Sequence, residues 1–336
     1  MGRLPYLKVE SSGAESARRR LLSLGLFDYG REVLKEGSFV LLPLSGKADV
    51  EGGEVVLRDS VPVRRKPSSL KAALSGVLTE NEISLIPSSY SVVGDIALLE
   101  LPEELRPKRS AIGEAVLSVF PHINVVAMKV GAVDTEYRVP SFEVVAGQNR
   151  TRTVHVEHGC RFNVDVAEAY FTPRLGTERL RVANLVKDGE RVLVLFAGVG
   201  PYPVIIAKKR RPCEVVAVEL NPKAVSLMRE NVVLNKVDVN VVEGDARAVT
   251  PALGLFDRVV MPLPKTAGDF LDVVFPAVKK GGVVHFYMFA GSASEAAKKV
   301  HDLTAGFGRK VGILASVECG SFNPSLSRFC VDFTVY

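Results

Sequence analysis

From about residue 190 onward, short apolar runs alternate with helix-forming segments, and no other feature narrows the possible folds as far. Runs this short and this apolar need cover on both faces, which a parallel sheet sandwiched by helices provides. The strand candidates are 191–196, 214–219, 239–242, 258–261, 282–289, 311–317 and 329–335. Seven strands interleaved with helices predict a doubly wound, mostly parallel α/β sheet. No internal repeat or low-complexity tract points to a solenoid or a biased linker.

The 336 residues exceed one domain of roughly 150 residues. Residues 6–60 read as a small α/β unit, with strands at 6–9, 39–42 and 54–57 and a helix at 14–25 carrying Arg18, Arg19 and Arg20. Prolines flank Arg64, Arg65 and Lys66 in the stretch 61–69, which reads as a connector. A second region follows, with helices at 70–78 and 108–120 and strands at 96–101 and 125–130. The expected division is therefore 1–62, 63–155 and 156–336.

At 47% hydrophobic and 24% charged residues, the chain is globular rather than disordered, collagenous or a disulfide-stapled miniature. No apolar run reaches the roughly 18 residues of a membrane span, and the first ten residues lack a signal-peptide core. A cytoplasmic protein without a membrane partner is expected. Cys160, Cys213, Cys319 and Cys330 lie far apart without CxxC spacing, so buried free thiols are expected rather than a zinc knuckle or disulfide framework. The balance of 43 basic and 38 acidic residues permits a polyanionic partner without demanding one. A single glutamine, Gln148, leans toward a thermophilic source.

The first strand of the sheet runs into Phe196-Ala197-Gly198-Val199-Gly200-Pro201-Tyr202, a glycine turn where absent side chains let a ligand approach the backbone. A dinucleotide fingerprint would place glycine where Pro203 stands, which disfavours a nicotinamide-dependent oxidoreductase. Glu219 closes the next strand, where a carboxylate can accept both hydrogen bonds of a ribose diol. Asn221 and Pro222 supply an N-cap and a first-turn proline for the following helix. Asp245, in Glu243-Gly244-Asp245-Ala246, can accept from an adenine amino group. Farther upstream, His155 and His158 have no third partner at ligand spacing, so no metal is expected, and Glu178-Arg179 by composition alone reads as a charged helix start.

The segments FAGVGPY, VELNPKAVSLMRENVVLN and EGDAR resemble those of class I S-adenosylmethionine-dependent methyltransferases, whose sheet adds a final antiparallel strand beside the sixth. Many members carry an acid just before the glycine motif, and here Val194 and Leu195 occupy that stretch. YFTPRLGTERLRVA, EYRVPSFEVVAGQNRT, HVEHGCRFNVDVAEAYF and SYSVVGDIALLELPEEL are similar to the archaeal and eukaryotic tRNA (guanine-37) N1-methyltransferases over nearly the whole chain.

That resemblance implies a tRNA with guanosine at position 37 as substrate and S-adenosylmethionine as cofactor. Glu178 is implied as general base at N1 and Arg138 as the holder of O6. The implied cofactor residues are Tyr170, Arg174, Phe196, Ala197, Gly198, Gly200, Glu219, Leu220, Asp245, Ala246 and Met261. Pro262, Pro264 and Asn149 are implied on the substrate side with Arg138. The family commonly has asparagine where Pro262 stands, and a proline side chain cannot donate. Guanine N1 bears a proton and is a poor nucleophile, so a base at N1 and a donor at O6 are what the chemistry requires. Arg18, Arg19, Arg20, Arg64, Arg65, Lys66, Arg150, Arg152, Arg161 and Arg174 are candidates for phosphate contact, since affinity for an anticodon loop comes mainly from its backbone. In the family the N-terminal unit checks the tRNA's outer corner, and the protein is expected to be a monomer. Two alternatives stay open: a wyosine-pathway enzyme acting on the same nucleotide, by methylation or aminocarboxypropyl transfer, and a non-catalytic RNA-binding relative.

Overall fold

The computed structural model describes residues 3–28, 31–46, 52–59, 69–87, 89–131, 137, 139–212, 214–323 and 325–336. Arg64, Arg65, Lys66, Arg138 and Cys213 lie outside the described residues. The chain forms two compact units, Met1–Ser68 and Ser69–Tyr336.

In the first unit β1 (Arg3–Glu10), β2 (Leu34–Glu36), β3 (Phe39–Pro43) and β4 (Glu54–Asp59) make an antiparallel sheet in the order β2-β3-β1-β4. Helix α1 (Ala14–Ser23) covers it, Leu21 packing among Leu7, Val9, Val40 and Leu42. The helix stops short of the expected residue 25 because Gly25 turns left-handed at φ 68°. Strand β2 carries one apolar residue, Leu34, too few for an alternation to show in sequence.

The second unit begins with α2 (Leu70–Leu74) and α3 (Glu80–Ser84) in place of the expected single helix 70–78. Thr79 and Glu82 form a reciprocal capping box that starts a new helix there. Strands β5 (Ser91–Val93), β6 (Ile96–Leu99), β7 (Val125–Lys129) and β8 (Phe142–Gly147) follow in that order across a sheet, with α4 (Arg109–Val119) linking the parallel pair β6 and β7. A hairpin then pairs β9 (Arg152–Glu157) with β10 (Cys160–Asp165). Its two turn residues, His158 and Gly159, have φ of 51° and 79°, the left-handed pair that a tight hairpin turn needs.

Next come α5 (Gly176–Leu185), β11 (Arg191–Leu195), α6 (Pro201–Lys209), β12 (Glu214–Glu219), α7 (Pro222–Asn235), β13 (Asn240–Glu243) and α8 (Ala246–Val249). The series continues with β14 (Phe256–Met261), α9 (Leu271–Ala277), β15 (Val278–Ala290), α10 (Ala293–Ala305), β16 (Val311–Asn323) and β17 (Leu326–Val335). All seven expected strands are present, in the order β13-β12-β11-β14-β15-β17-β16. Strand β17 runs antiparallel to both neighbours, beside the sixth strand as expected.

Alternation along β11 divides the core. Val192 and Val194 face α5, α6, α7 and the hairpin, whereas Leu193 and Leu195 face α8, α9 and α10. Each such fully buried side chain contributes roughly 1.5–3 kcal/mol. The first of these cores continues through Phe162 and Val164 of the hairpin into Val93, Ile96 and Val125, so the smaller sheet and the doubly wound sheet share one apolar interior.

A polar joint fixes their registration. Asp95 accepts from Thr153 Oγ1 at 2.6 Å, Asn124 Nδ2 at 2.8 Å and Arg150 Nη1 at 3.1 Å. A side chain on neighbouring Gly94, at φ 56°, would strike Thr153 Oγ1 at 2.2 Å. Burial pushes the Asp95 carboxyl up, but the bonds from Arg150, Thr153 and Asn124 outweigh it and hold it well below the ordinary range. Replacing Asp95 with Ala is expected to cost about 2–4 kcal/mol, because Arg150 and Thr153 lose their shared acceptor. With a depressed folded pKa, this contribution is complete above about pH 4 and is lost as pH falls through the folded value. Denaturant titrations of both proteins should differ at pH 7 and converge in strong acid; equal stability at pH 7 would contradict the joint.

Candidate active site

The glycine turn after β11 uses three left-handed residues, Phe196, Gly198 and Gly200, with φ of 54°, 58° and 87°. At Gly200 a Cβ would meet Met228 Cγ of α7 at 2.7 Å, so both backbone angle and packing require glycine. Glu219 ends β12 beside this turn. Its Oε2 accepts from Gly198 N–H at 2.7 Å and its Oε1 from Asn221 N–H at 2.9 Å. Asn221 caps α7 through Lys223 N–H at 3.0 Å and donates to Glu168 O at 2.8 Å, so both ends of the segment holding Glu219 are tied.

A cavity of about 460 Å³ opens here, at the carboxyl ends of the strands. Tyr170, Phe196, Gly198, Glu219, Leu220, Pro262 and Pro264 line it, as expected from the sequence. Ala197 and Met261 are buried beneath it, and Gly200 caps α6. Asp245 caps α8, accepting from Arg247 N–H at 2.7 Å through Oδ1, and Ala246 is buried against the apolar core; neither is part of the cavity lining. Asn149 is exposed after β8 and lines neither this cavity nor its neighbour. The donor set fits S-adenosylmethionine: two lone pairs of Glu219 are spoken for by backbone donors and the rest are left for a ribose diol. Phe196 and Phe270, 4.8 Å apart at 72°, offer an apolar wall for a purine ring.

A second cavity of about 490 Å³ adjoins the first, the two sharing Tyr170, Phe289, Phe322 and Arg328. Arg174 lines this one rather than the first. Glu178, in the first turn of α5, is only 5% exposed and lies behind the Cys319 wall. Its Oε2 accepts from Arg181 Nε at 2.6 Å, and its Oε1 from Arg181 Nη2 at 2.8 Å and Tyr287 O–H at 2.7 Å. Tyr202 donates to Tyr287 in turn at 2.8 Å.

The polar chain continues inward. Arg181 Nη1 donates to Asp332 at 2.6 Å, His285 Nδ1 donates to Asp332 at 2.6 Å, and Arg258 donates to His285 Nε2 at 2.8 Å and to Glu190 at 2.8 Å. Burial pushes the Asp332 carboxyl up, yet His285 and Arg181 hold it well below the usual range. Burial favours the neutral form of Arg181, but its bonds to Glu178 and Asp332 keep it charged. His285, Cys330 and Asp332 cluster like metal ligands, but Arg181 and Arg258 already bring two positive charges to the group.

The two histidines singled out in sequence do structural work: His158 donates to Gly176 O at 2.8 Å and His155 Nδ1 accepts from Gly94 N–H at 3.3 Å. Arg179 is 3% exposed and spans Glu157 at 2.6 Å and Thr172 O at 2.7 Å, clamping the turn that leads into α5. Among the basic candidates, Arg150 is paired with Asp95, Arg152 with Glu230 and Arg19 with Glu15. Arg18 stacks over Phe27, while Arg161 and Arg174 are exposed.

Sequence reading missed Arg181, Tyr287, His285 and Asp332. The signal available was a lone His and a lone Asp inside otherwise apolar strands, and an arginine three residues after Glu178 on one helix face. Cys160 and Cys330 are buried free thiols as expected, whereas Cys319 is half-buried in the cavity wall. Burial, with the Glu178 charge beside it, pushes Cys319 up to about 12. Iodoacetamide at pH 8 should therefore alkylate Cys319 about a hundredfold more slowly than an ordinary thiol. Peptide mass mapping over time checks this, and labelling at the ordinary rate would contradict the raised thiol pKa.

Residues 153–311 match the family model described as the TRM5/TYW2 methyltransferase domain, 70–151 the TYW2 N-terminal domain, and 7–51 the tRNA methyltransferase 5 N-terminal domain. The chain is 36% identical over 334 residues, 98% of both chains, to tRNA (guanine(37)-N(1))-methyltransferase Trm5b of Pyrococcus abyssi. It is 36% identical over 198 residues, 58% of this chain and 76% of the other, to tRNA 4-demethylwyosine(37)-methyltransferase Taw21 of Saccharolobus solfataricus. The solved complex of aTrm5 with tRNALeu superposes with a TM-score of 0.78 at 30% identity, covering 98% of this chain and 99% of that one. With a cofactor cleft of this form and likeness along its whole length, the chain belongs to the TRM5/TYW2 family of methyltransferases.

Proposed function

We propose that this protein methylates N1 of guanosine 37 in tRNA, using S-adenosylmethionine, to give 1-methylguanosine. The observation that carries the reading is the correspondence over 98% of both chains with Trm5b, joined to a cleft whose residues suit the cofactor. We assign 1–62 to tRNA shape recognition, 63–155 to RNA binding and 156–336 to catalysis, in a cytoplasmic monomer.

The cofactor, when bound, supplies a methyl group already made electrophilic by its sulfonium. Glu219 holds the ribose end, Phe196, Leu220 and Tyr170 border the cofactor, and Arg174 lies on the side toward the second cavity. Glu178 is the general base. Three donors occupy its carboxylate, whose capacity is about four, and the remaining position lies on the side of Cys319, whose thiol donates to Val317 O at 3.3 Å and so leaves that position for a purine N–H. Arg181 and Tyr287 fix the orientation of that carboxylate, so the N1 proton meets an acceptor that needs no reorganisation. Arg138 holds O6 as negative charge grows there.

Methylation of the wyosine precursor is the second reading, favoured by the match of 70–151 to the TYW2 N-terminal domain and by the likeness to Taw21. Nuclease digestion and mass analysis of a transcript with guanosine at 37 separates them: 1-methylguanosine at that position is expected, and its absence with product formed only on 4-demethylwyosine tRNA selects the second. Replacing Glu178 with Gln is expected to lower the single-turnover rate at least about 100-fold while tRNA affinity is retained. A wild-type rate would dismiss Glu178 as the base. Replacing Arg138 with Ala should likewise slow the chemical step, and unchanged turnover would reject its role at O6.

A further inference from the structure

Most buried arginines around the site have carboxylate partners: Arg179 has Glu157, Arg181 has Glu178 and Asp332, and Arg258 has Glu190. Arg328 differs. Among the described residues no carboxylate pairs with it, and its Nε, like that of Arg179, is buried with no hydrogen-bond partner. Its guanidinium lies 5.8 Å from the centre of the Phe289 ring, which in turn packs 4.5 Å from Phe322. All three side chains stand at the junction of the two cavities. A buried donor left without an acceptor is costly, and a cation beside an aromatic pair is suited to a flat ring with acceptors on one edge.

Strand geometry relates this position to Glu178. Arg328 pairs across from Phe289, and Cys330 across from Tyr287. These four residues therefore share one sheet face, and Tyr287 is the residue that donates to Glu178. Arg328 stands one strand repeat, about 7 Å, farther along that face. On guanine, O6 is carried by the atom next to N1, and N7 lies beyond O6. A base whose N1 meets Glu178 turns its O6 and N7 edge along the face toward Arg328. Pro262 and Pro264, which also line the first cavity, have side chains with nothing to donate.

We propose that Arg328 is a specificity-determining residue that donates from Nε and one Nη to O6 and N7 of the target purine, sharing the two lone pairs of O6 with Arg138, while the ring lies against Phe289 and Phe322. This rests on guanosine methylation as the activity. Adenine carries an amino donor at position 6, so the same fork rejects it.

The test is single-turnover methylation of transcripts carrying guanosine or 7-deazaguanosine at position 37, by wild type, Arg328→Met and Arg328→Lys, with cofactor affinity measured by calorimetry. Wild type is expected to lose about tenfold on 7-deazaguanosine. Arg328→Met should lose roughly tenfold to a hundredfold on guanosine and nothing further on the deaza base, with cofactor affinity unchanged. Lysine restores little, because it lacks the planar fork. Losses that multiply, full rescue by lysine, or a parallel fall in cofactor affinity each overturn the assignment, the last two pointing to a phosphate and to the cofactor carboxylate. Thermal unfolding verifies that each variant is folded. A wild type inactive on guanosine 37 removes the functional reading and this inference together, whereas an active wild type with an indifferent Arg328→Met removes this inference alone.

Discussion

The arrangement of the site depends on a hydrogen-bonded chain buried at one side of the sheet, in which carboxylates alternate with guanidinium groups and the His285 imidazole: Glu178, Arg181, Asp332, His285, Arg258 and Glu190. Taking such groups out of water costs several kcal/mol per ion, and an apolar replacement of equal volume would often be the more stable solution. What the chain gives in exchange is location. It joins α5 to β17, β15 and β14, and Arg258 also donates to Leu185 O at the end of α5. Helix α5 cannot slide or rotate on the sheet without stranding a charge. The carboxylate of Glu178 therefore stands at a fixed depth behind the second cavity, and the short connection from Thr172 to α5 is pinned by Arg179 at its other end.

The two carboxylates at the centre of the site are handled differently. Glu219 sits at a strand end, satisfied by backbone N–H groups that leave lone pairs for a neutral diol. Glu178 is satisfied by a guanidinium and a phenol within a network of side chains. The first suits a group that only holds, and the second a group whose orientation must be set before the substrate arrives.

Much of this was legible in the letters. The seven strands, the glycine turn and Asn221 as a helix cap follow from local pattern, because each depends on residues adjacent in sequence, whereas the antiparallel last strand came only with the family resemblance. Seven of the expected cavity residues, from Tyr170 to Pro264, do line the cleft. What escaped depends on distance in sequence. Arg181 meets Asp332 across 151 positions and Tyr287 meets Glu178 across 109, and no periodicity encodes such a pairing. Local reading also overextended the first helix of the second unit, because it did not weigh the Thr79 capping box. Arg150 and Arg152 show a further limit, since a basic residue in sequence does not reveal the acid already beside it.

The same long separations bear on how the molecule comes into being. Strand β17 lies between β15 and β16 and brings both Asp332 and Arg328. In a nascent chain that has emerged only as far as β16, Arg181 still lacks its second carboxylate and nothing yet lies between β15 and β16. Non-local pairings of this kind form late. The partners that fix Arg181, and through it the Glu178 carboxylate, are thus complete only once the last strand of the sheet has been made.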